Sequence, residues 1–277
     1  MVKILKKYLS FLFRRIFNEE IQKELILKAK LISHKNLSFK KIKNLSNVEF
    51  QVFSQWGEDG IIDWLVNKFR EIPKSFLEIG TENYKESNTR FLLINNNWDG
   101  FIIEADKSSV QDIKSQKVYW KYNLTVENEF VSQDNINKII KRINVPKKLG
   151  ILSLDIDGVD YWILKKMSSL EPSIIICEYN SLFGQKKAIT VPYKKNYIRS
   201  NEHYSNLFYG ASIKAFIDLL IDDCYGIQKL KTKGEVIESI LDIGANVGLF
   251  GLSARIAYPK SRIHCYEPNS NLESFEI

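Results

Sequence analysis

Short apolar segments that end in an acidic residue or a glycine recur through the middle of the chain and alternate with helical patterns. The apolar segments are residues 76–80, 101–104, 150–157 and 173–178, and the helical patterns are residues 61–69, 88–95, 133–143 and 159–169. Strands that are apolar on both faces are typical of a parallel sheet covered by helices on both sides. The sequence therefore predicts an α/β fold with a doubly wound parallel sheet, which would bind ligands beyond the carboxyl ends of its strands.

Charge divides the chain into a basic arm and a near-neutral body. Residues 1–47 hold twelve Lys or Arg and three acidic residues, a net charge of +9, whereas the remaining residues have a net charge of −2. A body without basic excess argues against nucleic-acid binding. We expect three parts: the arm at 1–48, a domain at 49–225, and the start of a further unit at 236–277.

Residues 3–32 have the period of an amphipathic helix, with Leu9 and Ile16 on the apolar side and Lys7 and Arg14 on the polar side. Two interpretations remain open. The arm either makes peripheral contact with a membrane through residues 1–47, or packs on the body or on a partner subunit. No segment reaches the roughly 20 apolar residues of a membrane-spanning helix.

The three cysteines, Cys177, Cys224 and Cys265, are an odd number without a close pair, so the sequence predicts neither a disulfide framework nor a thiolate metal site. This cysteine usage fits a reducing cytoplasm. With the basic arm, it predicts a cytoplasmic protein, peripheral to the inner face of the membrane if the arm binds lipid.

A layout of strand, glycine turn, helix, strand and acid occurs twice. It runs from Glu78 through Gly80 to Glu104, and again from Asp242 through Gly244 to Glu267. Glycine lets the backbone approach a ligand closely, and an acid that ends the next strand can accept hydrogen bonds from ribose hydroxyls. The second turn, residues 244–248, lacks the middle glycine of the dinucleotide fingerprint, which disfavours a dinucleotide.

The segments 241–250 and 266–269, which read LDIGANVGLF and YEPN, resemble the opening of an FkbM-type methyltransferase domain. Residues 52–222 resemble a related group of bacterial methyltransferase-like proteins through the segments 54–61, 78–90, 153–161 and 177–180. The resemblance implies a Rossmann-like class I fold, S-adenosylmethionine (SAM) as cofactor, and O-methylation of a sugar or glycan precursor in surface polysaccharide biosynthesis. The implied cofactor-binding residues are Glu78, Gly80, Glu104, Asp242, Gly244, Asn246, Gly248 and Glu267.

Two departures from the family pattern shape these expectations. The first unit has no second glycine after Gly80, so its ligand is expected to bind differently or not at all. The second unit stops ten residues after Glu267, which predicts a fragment of a longer product or a fusion remnant.

Asp155 and Asp157 are the predicted catalytic acids, since alternate residues of a strand share one face. They would contact the acceptor or act as general base, or, with Asp160 nearby and Glu178 and Asn180 at the end of the next strand, hold Mg²⁺. A third interpretation is that an aspartate here only caps the following helix. His203, in the polar loop 201–206, is a further catalytic candidate, whereas no metal-ligating residue is predicted with zinc-site spacing.

Two alternatives to a methyltransferase stay open. One is a catalytically degenerate domain that serves as a binding or assembly module. The other is a metal-dependent glycosyltransferase that uses Asp155 and Asp157. Trp56 and Trp98 are predicted to be packing residues.

Overall fold

The computed structural model describes residues 2–39, 41–68, 71–221, 239–243 and 262–266, with side chains described within residues 20–219. The helices in these ranges are α1 (Val2–Leu37), α2 (Glu58–Lys68), α3 (Arg90–Asn96), α4 (Lys107–Ser115), α5 (Lys117–Lys121), α6 (Ile136–Arg142), α7 (Asp160–Lys166), α8 (Arg199–Glu202) and α9 (Ile213–Ile221). The strands are β1 (Ser75–Ile79), β2 (Asp99–Glu104), β3 (Leu124–Asn128), β4 (Lys148–Leu154), β5 (Glu171–Cys177), β6 (Ser239–Ile243) and β7 (Arg262–Tyr266).

Strands β1 to β5 form one parallel sheet in the order β3-β2-β1-β4-β5. From β1 the chain builds outward through β2 and β3, then returns to place β4 on the other side of β1. The direction of winding reverses between β1 and β4, and such a reversal opens a crevice where doubly wound sheets bind ligands. The predicted α/β class with a Rossmann-like parallel sheet is confirmed.

The sheet is buried on both faces because successive side chains of a strand point to opposite sides. Phe76 of β1 belongs to one hydrophobic cluster, which includes residues of α2, α4 and α5. The neighbouring Leu77 belongs to the other cluster, which includes residues of α6, α7 and α9. This two-sided burial explains why the central strands are continuous apolar runs.

A turn stabilised by Asp59 leads the chain into α2. Oδ2 of Asp59 accepts the backbone N–H groups of Val52, Phe53 and Ser54 at 2.7, 2.7 and 2.9 Å, and Oγ of Ser54 accepts the N–H of Asp59 at 3.0 Å. Burial raises the pKa of Asp59, and these hydrogen bonds oppose the rise. The segment 54–61 that carries the family resemblance thus owes part of its composition to this turn.

The arm is helical as predicted, but α1 continues to Leu37, five residues beyond the expected end. Its C-terminal half packs on the body: Ala29 is 2% exposed and lies in a cluster with Phe50 and Phe91. Nδ2 of Asn36 donates to the carbonyl oxygen of Val48 at 2.9 Å. Packing on the body, one of the two interpretations of the arm, therefore holds for this half.

Two other predictions need correction. β3, α4 and α5 lie in residues 105–132, where no element is predicted. The predicted strand 150–157 ends at Leu154, because the backbone turns away and Asp157 adopts a left-handed φ of 51°. Asp155 and Asp157 therefore follow the strand and do not share one of its faces.

The second unit is described only in its two strands. β6 and β7 pair in parallel, with Asp242 opposite Cys265, which is the arrangement the repeat predicts. The helix predicted at 249–257 lies outside the described residues. Among the helices that the structure does describe, none combines the length and apolarity needed to cross a membrane.

We expect Asp59→Ala to lower the free energy of unfolding by about 3 kcal/mol or more, because it leaves three N–H groups without their acceptor and each unpaired buried group costs roughly 1–3 kcal/mol. Urea denaturation followed by circular dichroism measures this change. Asp112→Ala, at an exposed position of α4, is the matched control and should change stability by less than about 0.5 kcal/mol. Equal stability of the two variants would contradict the structural role of Asp59.

Candidate functional site

A cavity of about 760 Å³ opens at the carboxyl ends of the strands, above the reversal between β1 and β4. Its walls include residues 78–83, 103–105, 153–159 and 176–178, which end or follow β1, β2, β4 and β5. This volume lies in the range of small-molecule sites, about 300–1,000 Å³. Five predicted strand-end acids line it: Glu78, Glu104, Asp155, Asp157 and Glu178.

Gly80 lies where β1 and β4 come closest. Its φ is +81°, and a Cβ atom there would lie 1.8 Å from the carbonyl oxygen of Asp155. The two segments are joined by the N–H of Asp155, which donates to Ile79 at 3.0 Å. Gly80 borders the cavity as predicted, but the approach of the β4 segment already requires a glycine at this position.

Glu104 ends β2, where a ribose-binding acid is predicted, but its carboxylate already accepts backbone N–H groups. Oε2 accepts those of Thr81 and Glu82 at 3.0 and 2.8 Å, and Oε1 accepts that of Asp106 at 2.8 Å. A carboxylate offers about four acceptor sites, so roughly one remains. Glu104 can therefore accept one ribose hydroxyl and not two.

Glu78, the predicted contact at the methionine end of the cofactor, is 4% exposed. Oε2 accepts the hydroxyls of Ser87, at 2.7 Å, and Thr89, and Oε1 accepts the N–H of Asn88 at 3.1 Å. Burial raises the pKa of Glu78, and these hydrogen bonds lower it. Glu78 thus holds the loop 80–89 in place, and its contact with the cavity is secondary.

The described residues fit SAM in two respects. The cavity has the volume of a small-molecule site, and Glu104 retains one acceptor position at its edge. The ribose of SAM carries two hydroxyl groups, and Glu104 can accept a hydrogen bond from only one of them. Its Oε2 atom already accepts the N–H groups of Thr81 and Glu82.

Asp155, Asp157 and Glu178 form a carboxylate cluster where β4 and β5 end. One carboxylate oxygen of each lies within 4.8 Å of those of the other two, and all three side chains are exposed. The structure therefore brings the predicted catalytic aspartates together and adds Glu178, which the sequence presents only as a possible metal ligand.

The pKa of Glu178 is raised to about 7, first by loss of hydration and then by the charges of Asp155 and Asp157. The pKa of Asp155 is raised by the same two causes, desolvation and the charge of Asp157. A carboxylate with a pKa near neutrality can accept a proton efficiently, which is the property of a general base. The hydroxyl of Tyr209 donates to Oε1 of Glu178 at 3.3 Å.

Arg199 of α8 contacts the carboxylate cluster through Asp157. Its Nη1 forms an ion pair with Oδ1 of Asp157, and its guanidinium lies 3.8 Å from the ring centroid of Tyr209. The three carboxylates are oxygen ligands of the type that Mg²⁺ takes, but Arg199 already neutralises one of them. The cluster therefore suits hydrogen bonding to hydroxyls better than coordination of a cation.

Asp160 stabilises the turn between β4 and α7. It is 2% exposed, and it accepts the N–H groups of Ile156 and Gly158 at 2.8 and 2.9 Å. Burial raises its pKa to about 6. Asp160 thus fixes the turn that carries Asp155 and Asp157, and both of those aspartates line the cavity.

The structure does not bring His203 to the cavity, whose lining residues include its neighbours Tyr197 and Arg199. Nδ1 of His203 contacts Oγ of Ser205 at 2.7 Å, and its ring lies 4.2 Å from that of Tyr204. The catalytic role predicted for His203 rested only on the polarity of its loop. Among the described residues, the geometry around His203 does not support that role.

Trp56 is predicted to be a packing residue, but the structure exposes it at the cavity. It is 71% exposed and lines the cavity, whereas Trp98 is 3% exposed and packs in the core as predicted. Trp56 stands in the turn-rich segment 53–60, and loops of this kind often carry binding residues. Phe130, 41% exposed, also lines the cavity.

The remaining predicted cofactor residues belong to the second unit. Asp242 lies in β6. Gly244, Asn246, Gly248 and Glu267 lie outside the described residues, so their predicted roles stay predictions.

No protein-family model matches the chain, and no curated protein matches it in sequence. A search of solved structures finds the crystal structure of the N-terminal domain of EvdMO1 with SAH bound, which is 10% identical. The alignment covers 74% of this chain and 86% of that chain with a TM-score of 0.39. A likeness of this degree assigns no function, and the FkbM-type resemblance stays a prediction.

We expect Gly80→Ala to destabilise the fold more than Gly210→Ala, because only the first introduces a clash. Both glycines have positive φ, +81° and +64°, but a Cβ at Gly210 meets no atom within 4 Å. Gly210→Ala should cost about 1–2 kcal/mol of backbone strain, and Gly80→Ala roughly 1–3 kcal/mol more. Thermal unfolding of both variants measures the difference, and equal losses would contradict the close approach of Gly80 to Asp155.

Proposed function

We propose that this protein is a SAM-dependent methyltransferase that methylates a hydroxyl group of a sugar or glycan precursor in surface polysaccharide biosynthesis. The observation that carries the proposal is a cavity at the switch point of a Rossmann-like sheet in which Glu178 has a pKa near 7. The sequence resemblance of residues 52–222 and 236–277 supports the choice of cofactor and of substrate class.

When bound, SAM would supply a methyl group carried on a sulfonium sulfur. After transfer of the methyl group, that sulfur leaves as a neutral thioether. The chain's residues then have two tasks. Glu178 accepts the proton of the acceptor hydroxyl as the hydroxyl oxygen forms its new bond to the methyl carbon, and the nearby charge of Asp155 makes Glu178 more basic. Glu104 would accept one ribose hydroxyl and so help to orient the cofactor, and holding donor and acceptor in line can supply much of the rate enhancement.

The walls of the cavity suit a sugar. Carboxylates accept hydrogen bonds from hydroxyl groups, and Asp157 is held in place for this by Arg199. Trp56 and Phe130 add exposed aromatic faces to the same cavity, which can cover the apolar face of a ring. A mixture of a few polar groups with aromatic surface is typical of small-molecule sites.

We expect isothermal titration calorimetry to detect SAM binding by the wild-type chain. Glu104→Gln should weaken it by about tenfold or more, because an amide cannot replace a charged acceptor and the loop at Thr81 loses its anchor. Glu171→Gln, at an exposed position that pairs with Lys147, is the control and should bind like the wild type. Absence of binding by the folded wild-type protein would refute the proposal.

Methyl transfer should rise about tenfold per pH unit below pH 7 and level off above it, because Glu178 must be deprotonated to act as a base and its pKa is about 7. Glu178→Gln should lower kcat by roughly 10²–10⁴-fold, abolish this pH dependence and leave SAM affinity within a few fold. Transfer of a labelled methyl group to a glycan extract, followed across pH, measures both. An unchanged pH profile in Glu178→Gln would exclude Glu178 as the base.

A second function, a binding or assembly module on the same fold, is favoured by one observation. Glu78 and Glu104 already use most of their acceptor positions on the chain's own loops. A module of this kind predicts ligand binding without methyl transfer to any acceptor. Turnover by the wild-type protein therefore distinguishes the two proposals.

A metal-dependent glycosyltransferase would use Asp155, Asp157 and Glu178 as metal ligands. It predicts nucleotide-sugar binding that requires Mn²⁺ and is lost on Asp157→Asn. Because the Arg199–Asp157 ion pair competes with a cation, we rank this reaction below methyl transfer. Calorimetry with and without Mn²⁺ tests it directly.

A further inference from the structure

Helix α1 presents an apolar pair of side chains away from the body. Leu27 and Leu31 are 62% and 66% exposed, although leucine is among the residue types that are most often buried. They are four residues apart and so lie on one face of the helix. At 100° per residue, this face is nearly opposite to that of Ala29 and Asn36, which are buried against the body.

Lysines border the leucine pair on both sides. By the helical period, Lys23 and Lys30 fall on one flank of Leu27 and Leu31, and Lys28 and Lys35 fall on the other. All four are exposed. A leucine stripe between two rows of lysines is the arrangement of helices that lie in the plane of a membrane surface, since lysine stems can extend toward the lipid headgroups.

The positive charge of the arm favours anionic lipids over neutral ones. Residues 1–47 have a net charge of +9, and the rest of the chain has −2. Two acids, Glu20 and Glu24, lie on the same side of the helix one to two turns before the leucine pair, and Glu20 pairs with Lys23 at 2.6 Å. Against the four lysines they leave residues 20–35 with a net charge of +2. Such a surface is attracted to anionic headgroups and repels a second copy of itself.

We propose that α1 docks this protein on an anionic phospholipid surface, with Leu27 and Leu31 inserted among the headgroups and Lys28, Lys30 and Lys35 on the lipid phosphates. The opposite face of the helix stays on the body, so docking needs no unfolding of the arm. The sequence continues the leucine period upstream at Leu9 and Ile16. This proposal does not depend on the reaction that the cavity performs.

Co-sedimentation of the full chain with phospholipid vesicles tests the proposal. Vesicles that contain phosphatidylserine should bind the wild-type protein at least tenfold more tightly than vesicles of phosphatidylcholine alone, and added salt should weaken this binding. The double variant Leu27→Glu/Leu31→Glu should lose at least tenfold in affinity. Its matched control is Leu182→Glu/Leu207→Glu, which exchanges two leucines that are 64% and 50% exposed elsewhere, and it should bind like the wild type.

A second variant separates docking from folding. Lys28→Ala/Lys35→Ala removes charge from exposed positions of α1 and should also weaken binding, with an unchanged circular dichroism spectrum. Equal binding of the wild type and the Leu27→Glu/Leu31→Glu variant would overturn the proposal. So would a wild-type dimer in sedimentation velocity that this variant converts to a monomer, because the leucine face would then belong to a second copy.

Discussion

Buried carboxylates that accept backbone N–H groups hold together the segments on which the rest of this structure depends. Asp59, Glu78, Glu104 and Asp160 each accept at least one such group, and all four are buried. An N–H group that is buried without an acceptor costs roughly 1–3 kcal/mol, so each carboxylate makes one loop path much more stable than its alternatives. Together they fix the turn before α2, the loop after β1 and the turn after β4, and these segments form the walls of the cavity.

Because of this arrangement, the carboxylates that can react with a ligand lie at one end of the cavity, after β4 and β5. Glu78 and Glu104, at the ends of β1 and β2, use most of their acceptor positions for hydrogen bonds from the chain's own loops. Asp155 and Glu178, after β4 and β5, lie close together in the carboxylate cluster, and Glu178 accepts one hydrogen bond from the hydroxyl of Tyr209. Desolvation and mutual repulsion bring the pKa of Glu178 to about 7, where a carboxylate can serve as a base.

The sequence predicts most of the sheet because its central strands are buried on both faces and read as continuous apolar runs. It does not predict β3, an edge strand in which only Leu124 and Val126 are buried. Two apolar residues at alternate positions are too short a signal to distinguish a strand from a loop. The end of β4 is missed for a different reason: the left-handed φ of Asp157 is imposed by the turn that Asp160 stabilises, and no local pattern marks it.

The same limit applies to the candidate site. From the sequence alone it follows that the chain forms an α/β sheet and that acids gather at its carboxyl edge, since both depend on periodicity and on where each strand ends. The tertiary structure alone decides which acids remain available, because that depends on where the neighbouring N–H groups point once the loops are closed. It assigns Glu104 mainly to the protein's own backbone, places Glu178 beside Asp155, and leaves His203 outside the cavity.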